Sequence, residues 1–396
     1  MVDVKKMVLV AVAVFGLQVS AETLRGNWFG ETRAELEALI ERHRGEKDAY
    51  AVFDCDNTTV ISDITIVYQI RALEELHFAV GPDEMRRMLL TGVPDVNRPL
   101  VAENPKSTAD NLAADISDAY RELLALRSAG EDYRSSPVFS EFAAKYQALY
   151  HGLCSTFGTE VGYPWIGCIL VGYTREQIFE FERASLRMEM SYGRVYEQRF
   201  TVPAGQARRS GVYSVEFTRG FAIPPENVGL FRALRDAGIV PHIVSASPRE
   251  LVLAVFTDPQ FGFGLPESCL FGYDFKRDVQ GRIVPEHTAA RWMPQKEGKV
   301  DLIRRELMPR FGGRAPVLVA GDSIGDYAML TAFSGMDRGL IYNYRPLLDD
   351  PLSKLVRLTL AGKERRHLLQ GRDNGKAALI PSPSSTGQVL EPSERN

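Results

Sequence analysis

The sequence has 396 residues, of which 45% are hydrophobic and 25% charged, and its formal net charge at pH 7 is −4. A chain of this length holds either two domains or one large domain with an insertion, and both arrangements bury a full hydrophobic core. The charge is nearly balanced and no long basic run occurs, so the composition argues against a nucleic-acid partner.

The N-terminus has the pattern of a secretory signal peptide. Lys5 and Lys6 precede an apolar stretch at residues 7–17, and small residues follow up to Ala21. The stretch is shorter than the ~20 residues that a membrane-spanning helix needs. We therefore predict that residues 1–21 are a cleaved signal peptide. The mature protein should keep no stable membrane anchor and should be periplasmic or secreted.

A short apolar run at residues 50–53 ends in two acids, Asp54 and Asp56, which are followed by Asn57 and Thr58. The run is typical of a buried strand, and ligands of open parallel sheets bind beyond the carboxyl ends of the strands. Two close carboxylates repel each other unless a cation lies between them. Mg²⁺ suits this position because it prefers hard oxygen ligands and often shares them with a substrate phosphate. Taken alone, the segment is also compatible with a surface turn.

The long stretch after these acids is predicted to be a mostly helical insertion at residues 62–222. Helical periodicity recurs in four segments, the last of which begins with Thr174 and Gln177 placed as a capping box. These segments are 64–80, 107–129, 138–150 and 174–190. Two alternating segments, 195–202 and 211–218, predict a hairpin.

The α/β pattern then resumes. A helix at 227–237 leads to an apolar strand at 239–244, which ends in Ser245 and Ala246. Ser247 and Pro248 have the pattern of an N-cap and a first-turn proline. A strand end followed by a helix start offers backbone N–H groups and a favourable dipole to a phosphate.

A third α/β unit contributes a lysine and two further acids. A helix opens near Lys296 and Lys299, and a strand at 315–320 is followed by a turn that contains Asp322 and Asp326. A helix at 327–333 completes the unit. Because parallel strands end at one edge of the sheet, Asp322 and Asp326 should lie at the same edge as the first pair of acids.

The cysteines and the C-terminal end are two further features of the sequence. The cysteines, Cys55, Cys154, Cys168 and Cys269, are too widely spaced for a disulfide framework or a Cys-x-x-Cys metal site. In an oxidising compartment Cys154 and Cys168 either pair or stay free, and Cys55 is expected to be a small buried side chain. Residues 374–396 are rich in Pro, Ser and Gly and are predicted to be unstructured.

In order, the chain presents a strand with Asp-x-Asp-Asn-Thr, a strand with Ser, a Lys at a helix start and a strand with Gly-Asp-Ser-x-Gly-Asp. This set resembles the four motifs of phosphatases of the haloacid dehalogenase (HAD) superfamily, over roughly residues 45–62 and 223–345. The insertion between the first two motifs resembles the C1 cap of that superfamily. The segments similar to secreted bacterial phosphorylcholine phosphatases are 42–57, 163–174, the stretch after Ser245 and 291–303.

The resemblance implies an α/β fold with a HAD-like Rossmannoid core, in which a parallel sheet lies in the middle of three layers. The core would comprise residues 22–61 and 223–373, and the cap would comprise residues 62–222. The resemblance also implies a Mg²⁺-dependent phosphomonoesterase that acts through an aspartyl-phosphate intermediate.

The resemblance assigns roles to individual residues. Asp54 would be the nucleophile, and Asp56 would protonate the leaving group and then activate water. Mg²⁺ would be held by the carboxylates of Asp54 and Asp322, with Asp326 in support and with the backbone carbonyl of Asp56. The residues implied to bind the phosphoryl group are Asn57, Thr58, Ser245, Ala246 and Lys299. Lys299 is preferred over Lys296 because it lies in a Gly-Lys-Val pattern.

The expected substrate is a small phosphorylated alcohol, either phosphocholine or phosphoethanolamine, or else a phosphoserine-like compound or a sugar phosphate. Tyr163, Trp165 and Trp292 either form a pocket for a quaternary ammonium group or are core residues. The secreted bacterial phosphorylcholine phosphatases that the chain resembles carry acids early in the helix after the first motif. This chain instead has apolar residues and Thr65 after Asp63.

Two other functions fit the pattern less well. Dehalogenation also uses an aspartate nucleophile in this superfamily but needs neither Mg²⁺ nor a general acid, so the presence of Asp56 and Asp322 argues against it. An exported protein that binds a phosphorylated ligand without turnover would not need the intact pair Asp54 and Asp56.

Overall fold

The computed structural model describes residues 24–287 and 293–387. The predicted signal peptide therefore lies outside the described residues, as do Trp292 and residues 388–396. Within the two described ranges, no helix is both long enough and apolar enough to cross a membrane.

The core is a seven-stranded sheet that is parallel except at one edge, where the last two strands pair antiparallel. The strands of the described residues are β1 (Tyr50–Phe53), β2 (Pro99–Val101), β3 (Asn104–Thr108), β4 (Tyr196–Thr201), β5 (Ser214–Arg219), β6 (Val240–Pro248), β7 (Leu270–Tyr273), β8 (Phe275–Arg277), β9 (Ile283–His287), β10 (Leu318–Gly321), β11 (Arg338–Tyr342), β12 (His367–Asp373) and β13 (Ala378–Ile380). The order across the sheet is β13-β12-β11-β10-β1-β6-β7.

The central position of β1 follows from its composition. All four of its residues are apolar or aromatic and all are buried, as expected for a strand covered on both faces. Phe53 lies beside Ala320 of β10 on one side and Ile243 of β6 on the other. The parallel strands β1, β6 and β10 therefore bring their following residues to one edge of the sheet.

Helices cover the sheet and build the insertion. The helices of the described residues are α1 (Gly30–Arg42), α2 (Ile64–Glu75), α3 (Pro82–Leu89), α4 (Ala109–Ser128), α5 (Pro137–Phe157), α6 (Thr159–Ile166), α7 (Arg175–Ser191), α8 (Pro225–Asp236), α9 (Arg249–Phe256), α10 (Glu297–Leu302), α11 (Tyr327–Thr331) and α12 (Pro351–Leu360). The α/β fold with a mainly parallel sheet and an inserted helical cap is confirmed.

The insertion contains α2 to α7 and the hairpin of β4 and β5. The predicted capping box of Thr174 and Gln177 is present at the start of α7. The helix predicted at 64–80 ends earlier, because Leu76 adopts a left-handed conformation. An antiparallel bridge joins Ile61 to Ala222. The division of the chain at residues 62 and 222 stays a prediction.

The prediction of an unstructured C-terminal segment from residue 374 was wrong for its described part. Strand β13 pairs antiparallel with β12, and the N–H of Gly371 donates to the carbonyl of Ser382 at 2.8 Å. The edge of a sheet offers unpaired backbone groups. Backbone pairing with β12 thus orders a segment whose composition supplies few core residues.

We predict that His242 makes the protein sensitive to mild acid. The side chain is 2% exposed and packs edge-on against Tyr50 and Phe311, and burial lowers its pKa from 6.5 to about 4. Between these values the unfolded chain binds a proton that the folded chain does not, so the free energy of unfolding should fall as the pH drops from 6.5 to 4.

The variant His242→Phe removes this contribution. Urea unfolding at pH 7 and pH 5 should therefore show a smaller loss of stability in His242→Phe than in the wild type. Phe311→Leu, which alters the packing but leaves the imidazole, should keep the wild-type pH difference. An unchanged pH difference in His242→Phe would refute the assignment.

Candidate active site

A cavity of about 370 Å³ lies at the carboxyl edge of β1, β6 and β10, between the core and the insertion. The core contributes acidic and basic side chains to the cavity wall, and the insertion adds aromatic and hydroxyl groups. The lining residues used below are Asp54, Asp56, Asn57, Asp63, Thr65, Tyr150, Tyr163, Ala246, Ser247, Lys296, Lys299, Asp322, Asp326 and Arg345.

The turn after β1 presents the first two acids. The N–H of Asp54 donates to the carbonyl of Ala320 at 3.0 Å, which continues the pairing with β10. A wide, irregular turn, Cys55–Thr59, follows, in which Asp56 has extended backbone angles and Asn57 has φ of 58°. Asparagine tolerates this left-handed conformation better than most residues. The turn directs Asp54 and Asp56 to different partners.

Three carboxylates converge in the cavity. Asp54, Asp322 and Asp326 are buried, and each offers one oxygen that lies within 4.8 Å of the other two. Burial and the neighbouring carboxylate of Asp326 raise the pKa of Asp54 well above its usual range, and the same causes raise that of Asp322 to about 6. A divalent cation would remove this repulsion, and three converging hard oxygens fit Mg²⁺.

Lys299 lies among these acids. Its Nζ donates to Oδ1 of Asp54 at 2.5 Å and to Oδ1 of Asp326 at 2.6 Å, and the residue is 3% exposed. Burial opposes its charge, but the two carboxylates outweigh burial and raise its pKa. Lys296 is exposed, and its backbone N–H donates to the carbonyl of Gly325. The geometry agrees with the preference for Lys299.

Asp56 has a separate set of hydrogen bonds. Its Oδ1 accepts from the N–H of Ile64 at 2.9 Å, and its Oδ2 accepts from the hydroxyl of Ser247 at 2.6 Å. Burial, with Asp63 as the next cause, raises its pKa to about 7. A carboxyl group with a pKa near neutrality suits proton transfer in both directions. Its backbone contact with a metal stays a prediction.

Ser247 was missed as a cavity residue, and Ser245 was misplaced. Ser245 is fully buried behind the cavity wall, where its Oγ accepts from the N–H of Ser247 at 3.0 Å and donates weakly to Asp56 at 3.4 Å. Strand β6 continues to Pro248, and α9 begins only at Arg249. The longer strand, whose pairing with β7 is irregular between Val244 and Pro248, places Ser247 rather than Ser245 at the cavity wall. Ala246 lines the cavity as predicted.

Thr58 also differs from its predicted position. Its side chain is buried, and its hydroxyl donates to Oδ1 of Asp322 at 2.9 Å. Its carbonyl accepts from the side chain of Asn227 at 3.0 Å. Thr58 therefore holds a carboxylate of the convergent group from behind, because the wide turn after Asp54 directs it away from the cavity. Asn57, by contrast, lines the cavity as predicted.

The insertion supplies the opposite wall. Asp63 caps α2 by accepting from the N–H groups of Thr65 and Ile66 at 2.8 and 3.1 Å, and burial raises its pKa. The hydroxyl of Thr65 donates to that of Ser247 at 2.9 Å. Tyr150 and Tyr163 complete this wall. Only Tyr163 was predicted, because the other residues lie outside the motifs.

Trp165 does not line the cavity, so of the two alternatives left open for it the structure supports a core residue rather than a pocket residue. It is 2% exposed, its indole N–H donates to the carbonyl of Leu89 at 2.7 Å, and its ring lies 6.3 Å from that of Tyr150. Residues two apart on a helix lie on different faces, so Tyr163 and Trp165 of α6 cannot both face the cavity. Trp165 is a core residue of the cap.

The cysteines are all free in the structure. Cys154 and Cys168 are therefore unpaired here, and the Cys168 thiol lies 3.3 Å from the hydroxyl of Tyr146. Cys55 is fully buried, as predicted, and burial raises its thiol pKa well above the usual range. No cysteine contributes to the lining of the cavity within the described part of the chain.

Comparisons with known proteins agree with this picture. Phosphorylcholine phosphatase from Pseudomonas aeruginosa PAO1 is 25% identical over 333 residues, which cover 77% of this chain and 76% of the relative. A crystal structure of a conserved protein of unknown function from Anaerococcus prevotii DSM 20548 has a TM-score of 0.78 and 24% identity, covering 92% of this chain and 98% of the other. No protein-family model matches the chain. The first similarity confirms the resemblance to phosphatases, and the second confirms the fold.

We predict that Mg²⁺ stabilises the protein through the three converging carboxylates. At a Mg²⁺ concentration of about 100 times Kd, binding adds about 2.7 kcal/mol to the free energy of unfolding. Asp322→Asn should remove most of this gain, because one of the three oxygens loses its charge. The measurement is unfolding with chelator and with Mg²⁺.

A matched control is Asp278→Asn, which alters a carboxylate that pairs with Arg282 outside the cavity. This variant should keep the full effect of Mg²⁺. If Asp322→Asn gains as much stability from Mg²⁺ as the wild type does, the carboxylate group is not the metal site.

Proposed function

We propose that this chain, which resembles HAD phosphatases in fold and in motif order, is a Mg²⁺-dependent phosphomonoesterase with Asp54 as its nucleophile. The similarity to a curated phosphatase supports its place among the phosphoric monoester hydrolases. The observation that carries the proposal is the contact of Lys299 with both Asp54 and Asp326, beside Asp322, in one buried cavity. Such a group combines a carboxylate nucleophile with the positive charge that a phosphate requires.

In the first half-reaction, an oxygen of Asp54 attacks phosphorus and the bond to the leaving oxygen breaks. Bound Mg²⁺ would supply charge neutralisation on the carboxylates of Asp54, Asp322 and Asp326. Lys299 would keep Asp54 ionised and draw the phosphoryl oxygens into line, since phosphoryl transfer depends mainly on positioning and charge stabilisation. Asp56 would give its proton to the leaving alkoxide.

In the second half-reaction, Asp56 takes a proton from water, which attacks phosphorus and releases phosphate from Asp54. The hydroxyl of Ser247 and the N–H of Ile64 hold the two oxygens of Asp56 in place during both steps. We propose that Asn57, Ala246, Ser247 and Lys299 surround the phosphoryl group. Thr58 and Ser245 would then act indirectly, by fixing Asp322 and Asp56.

The substrate is proposed to be a small phosphorylated alcohol, with phosphocholine or phosphoethanolamine first. The relative named phosphorylcholine phosphatase supports this choice. Asp63, Tyr150 and Tyr163 form a wall able to attract a cationic group, and each aromatic face contributes roughly 0.5–2 kcal/mol. Arg345 and Lys296 also line the cavity. They would suit a second anionic group, which keeps a phosphoserine-like substrate or a sugar phosphate as the alternative.

The other functions considered from the sequence gain no support from the geometry. A dehalogenase would have no use for the proton held by Asp56 or for the convergent acids. A non-catalytic binding protein would not need a buried acid next to the ligand phosphate. Export through a cleaved signal peptide, to the periplasm or the medium, stays part of the proposal.

The proposal predicts different failures for the two acids. Hydrolysis of p-nitrophenyl phosphate should stop in chelator and return with Mg²⁺. Asp54→Asn should abolish hydrolysis, because no carboxylate oxygen is left to attack phosphorus. Asp56→Asn should retain slow phosphorylation by this substrate, because p-nitrophenolate leaves without protonation, but should lose activity on alkyl phosphates.

Hydrolysis is measured as steady-state rates. Phosphorylation is measured as the acid-stable radioactivity that the protein retains after reaction with radiolabelled p-nitrophenyl phosphate. Full activity in chelator would exclude the metal, and a labelled Asp54→Asn protein would exclude Asp54 as the nucleophile. Equal losses of phosphorylation by aryl and alkyl phosphates in Asp56→Asn would exclude its role as general acid.

The aromatic wall predicts a preference among substrates. Phosphocholine should be hydrolysed with a lower KM than phosphoethanolamine, because its cation is larger and less hydrated. Tyr163→Leu should raise the KM for phosphocholine about tenfold, which corresponds to about 1.4 kcal/mol, and should leave that of an aryl phosphate nearly unchanged.

Trp165→Ala serves as the contrasting variant. Loss of this core side chain should lower the free energy of unfolding by about 3–5 kcal/mol and affect both substrates equally. If Tyr163→Leu changes both KM values alike, or if the wild type does not hydrolyse phosphocholine, the choline preference is wrong while the phosphatase proposal stands.

A further inference from the structure

Residues 374–387, called here the C-terminal segment, fold back onto the end of β12. The N–H of Asn374 donates to the carbonyl of Thr386, and the N–H of Thr386 donates to the carbonyl of Arg372, both at 3.0 Å. The hydroxyl of Ser385 accepts from the N–H of Arg372 at 2.8 Å. The segment thereby encloses Arg372, the penultimate residue of β12.

The Arg372 side chain is fixed on three sides. It is 5% exposed, its Nε donates to Oδ1 of Asn374 at 2.7 Å, and its guanidinium lies 3.6 Å from the ring centre of Tyr344. Its Nη2 donates to Oδ1 of Asn57 at 3.0 Å. Within the described residues Nη1 has no acceptor, and burial lowers the pKa of the group to about 10. A buried charge with an unused donor costs free energy, which favours a role other than stability.

Asn57 is the residue that Arg372 reaches, and it lies next to Asp56 in the turn after β1. Its φ of 58° lies in the left-handed region, which asparagine adopts more readily than most residues. The same side-chain oxygen accepts from the N–H of Ser62 at 3.3 Å. Arg372 and Ser62 together hold this turn, on which the directions of Asp54 and Asp56 depend.

The C-terminal segment also holds the loop after β11. The side chain of Asn343 donates to the carbonyl of Pro383 at 3.0 Å, and the hydroxyl of Ser385 donates to the carbonyl of Asn343 at 2.7 Å. Two residues further on, Arg345 lines the cavity. The segment thus supports two separate parts of the cavity wall.

We propose that Arg372, clamped by the C-terminal segment, is a positioning residue that fixes Asn57 and with it the turn carrying Asp54 and Asp56. Arg372 does not touch the reacting atoms and acts only through Asn57. The kinetic part of this inference rests on the proposed function, whereas the structural part does not.

Hydrogen–deuterium exchange of the full-length protein tests the structural part. In Arg372→Met, amides of residues 55–62 should exchange about tenfold faster or more, because Asn57 loses its charged partner. Arg372→Lys keeps the charge but lacks the planar fork, so it should restore part of the protection. The matched control is Arg366→Met just before β12, where the guanidinium binds the carbonyl of Met336 and no residue of the turn.

Kinetics with p-nitrophenyl phosphate test the consequence. Arg372→Met should lower kcat about 100-fold with little change in KM, since a small misplacement of catalytic groups costs this much. Arg372→Lys should recover part of kcat, and Arg366→Met should stay close to the wild type. A wild type without phosphatase activity would end the proposed function, and the exchange measurement would still decide the positioning role.

Equal exchange of residues 55–62 in Arg372→Met and the wild type would overturn the inference. Equal acceleration in Arg366→Met would also overturn it, since the effect would then be general destabilisation. If Arg372→Met does not fold, Arg372→Lys decides by the same criteria, with faster exchange confined to residues 55–62 as the supporting result.

Discussion

Mutual repulsion among buried carboxylates is the constraint on which the site depends. Asp54, Asp322 and Asp326 bring their oxygens within 4.8 Å of one another in a buried space, an arrangement that is unfavourable for three like charges. Lys299 offsets part of it through short contacts with two of the acids. The remaining negative charge explains why the donor set fits a divalent cation and a phosphate bound together. Stability and catalysis are therefore coupled at this point.

The fold brings these charges together through backbone pairing. Strands β1 and β10 are neighbours in register, so the residues that follow them meet without any long-range adjustment of side chains. Neutral hydroxyl groups complete the arrangement, since Thr58 donates to Asp322 from behind and Ser247 donates to Asp56 at the cavity wall. One set of residues carries charge into the cavity, and a second set fixes the direction of the charged groups.

The order of strands and acids was predictable because each motif combines a buried apolar run with a polar turn, and both signals are local. The exact strand ends and the positions of individual side chains were not predictable. Whether β6 ends at Ser245 or continues past Ser247 depends on pairing with β7, and Trp165 is buried by α3 and α5 rather than by its own helix. Residues 374–387 adopt a defined structure because they pair with the free edge of β12. In each case the deciding partner is distant in sequence and leaves no local pattern.

Borohydride trapping can show whether Asp54 is the group that attacks phosphorus. An aspartyl-phosphate is reduced by borohydride to homoserine, so mass spectrometry of the peptide that contains residues 50–58 locates the phosphorylated acid. With p-nitrophenyl phosphate and Mg²⁺, we expect homoserine at position 54 and unmodified Asp56. Homoserine at position 56, or turnover with no homoserine at either position, would exclude Asp54 as the nucleophile.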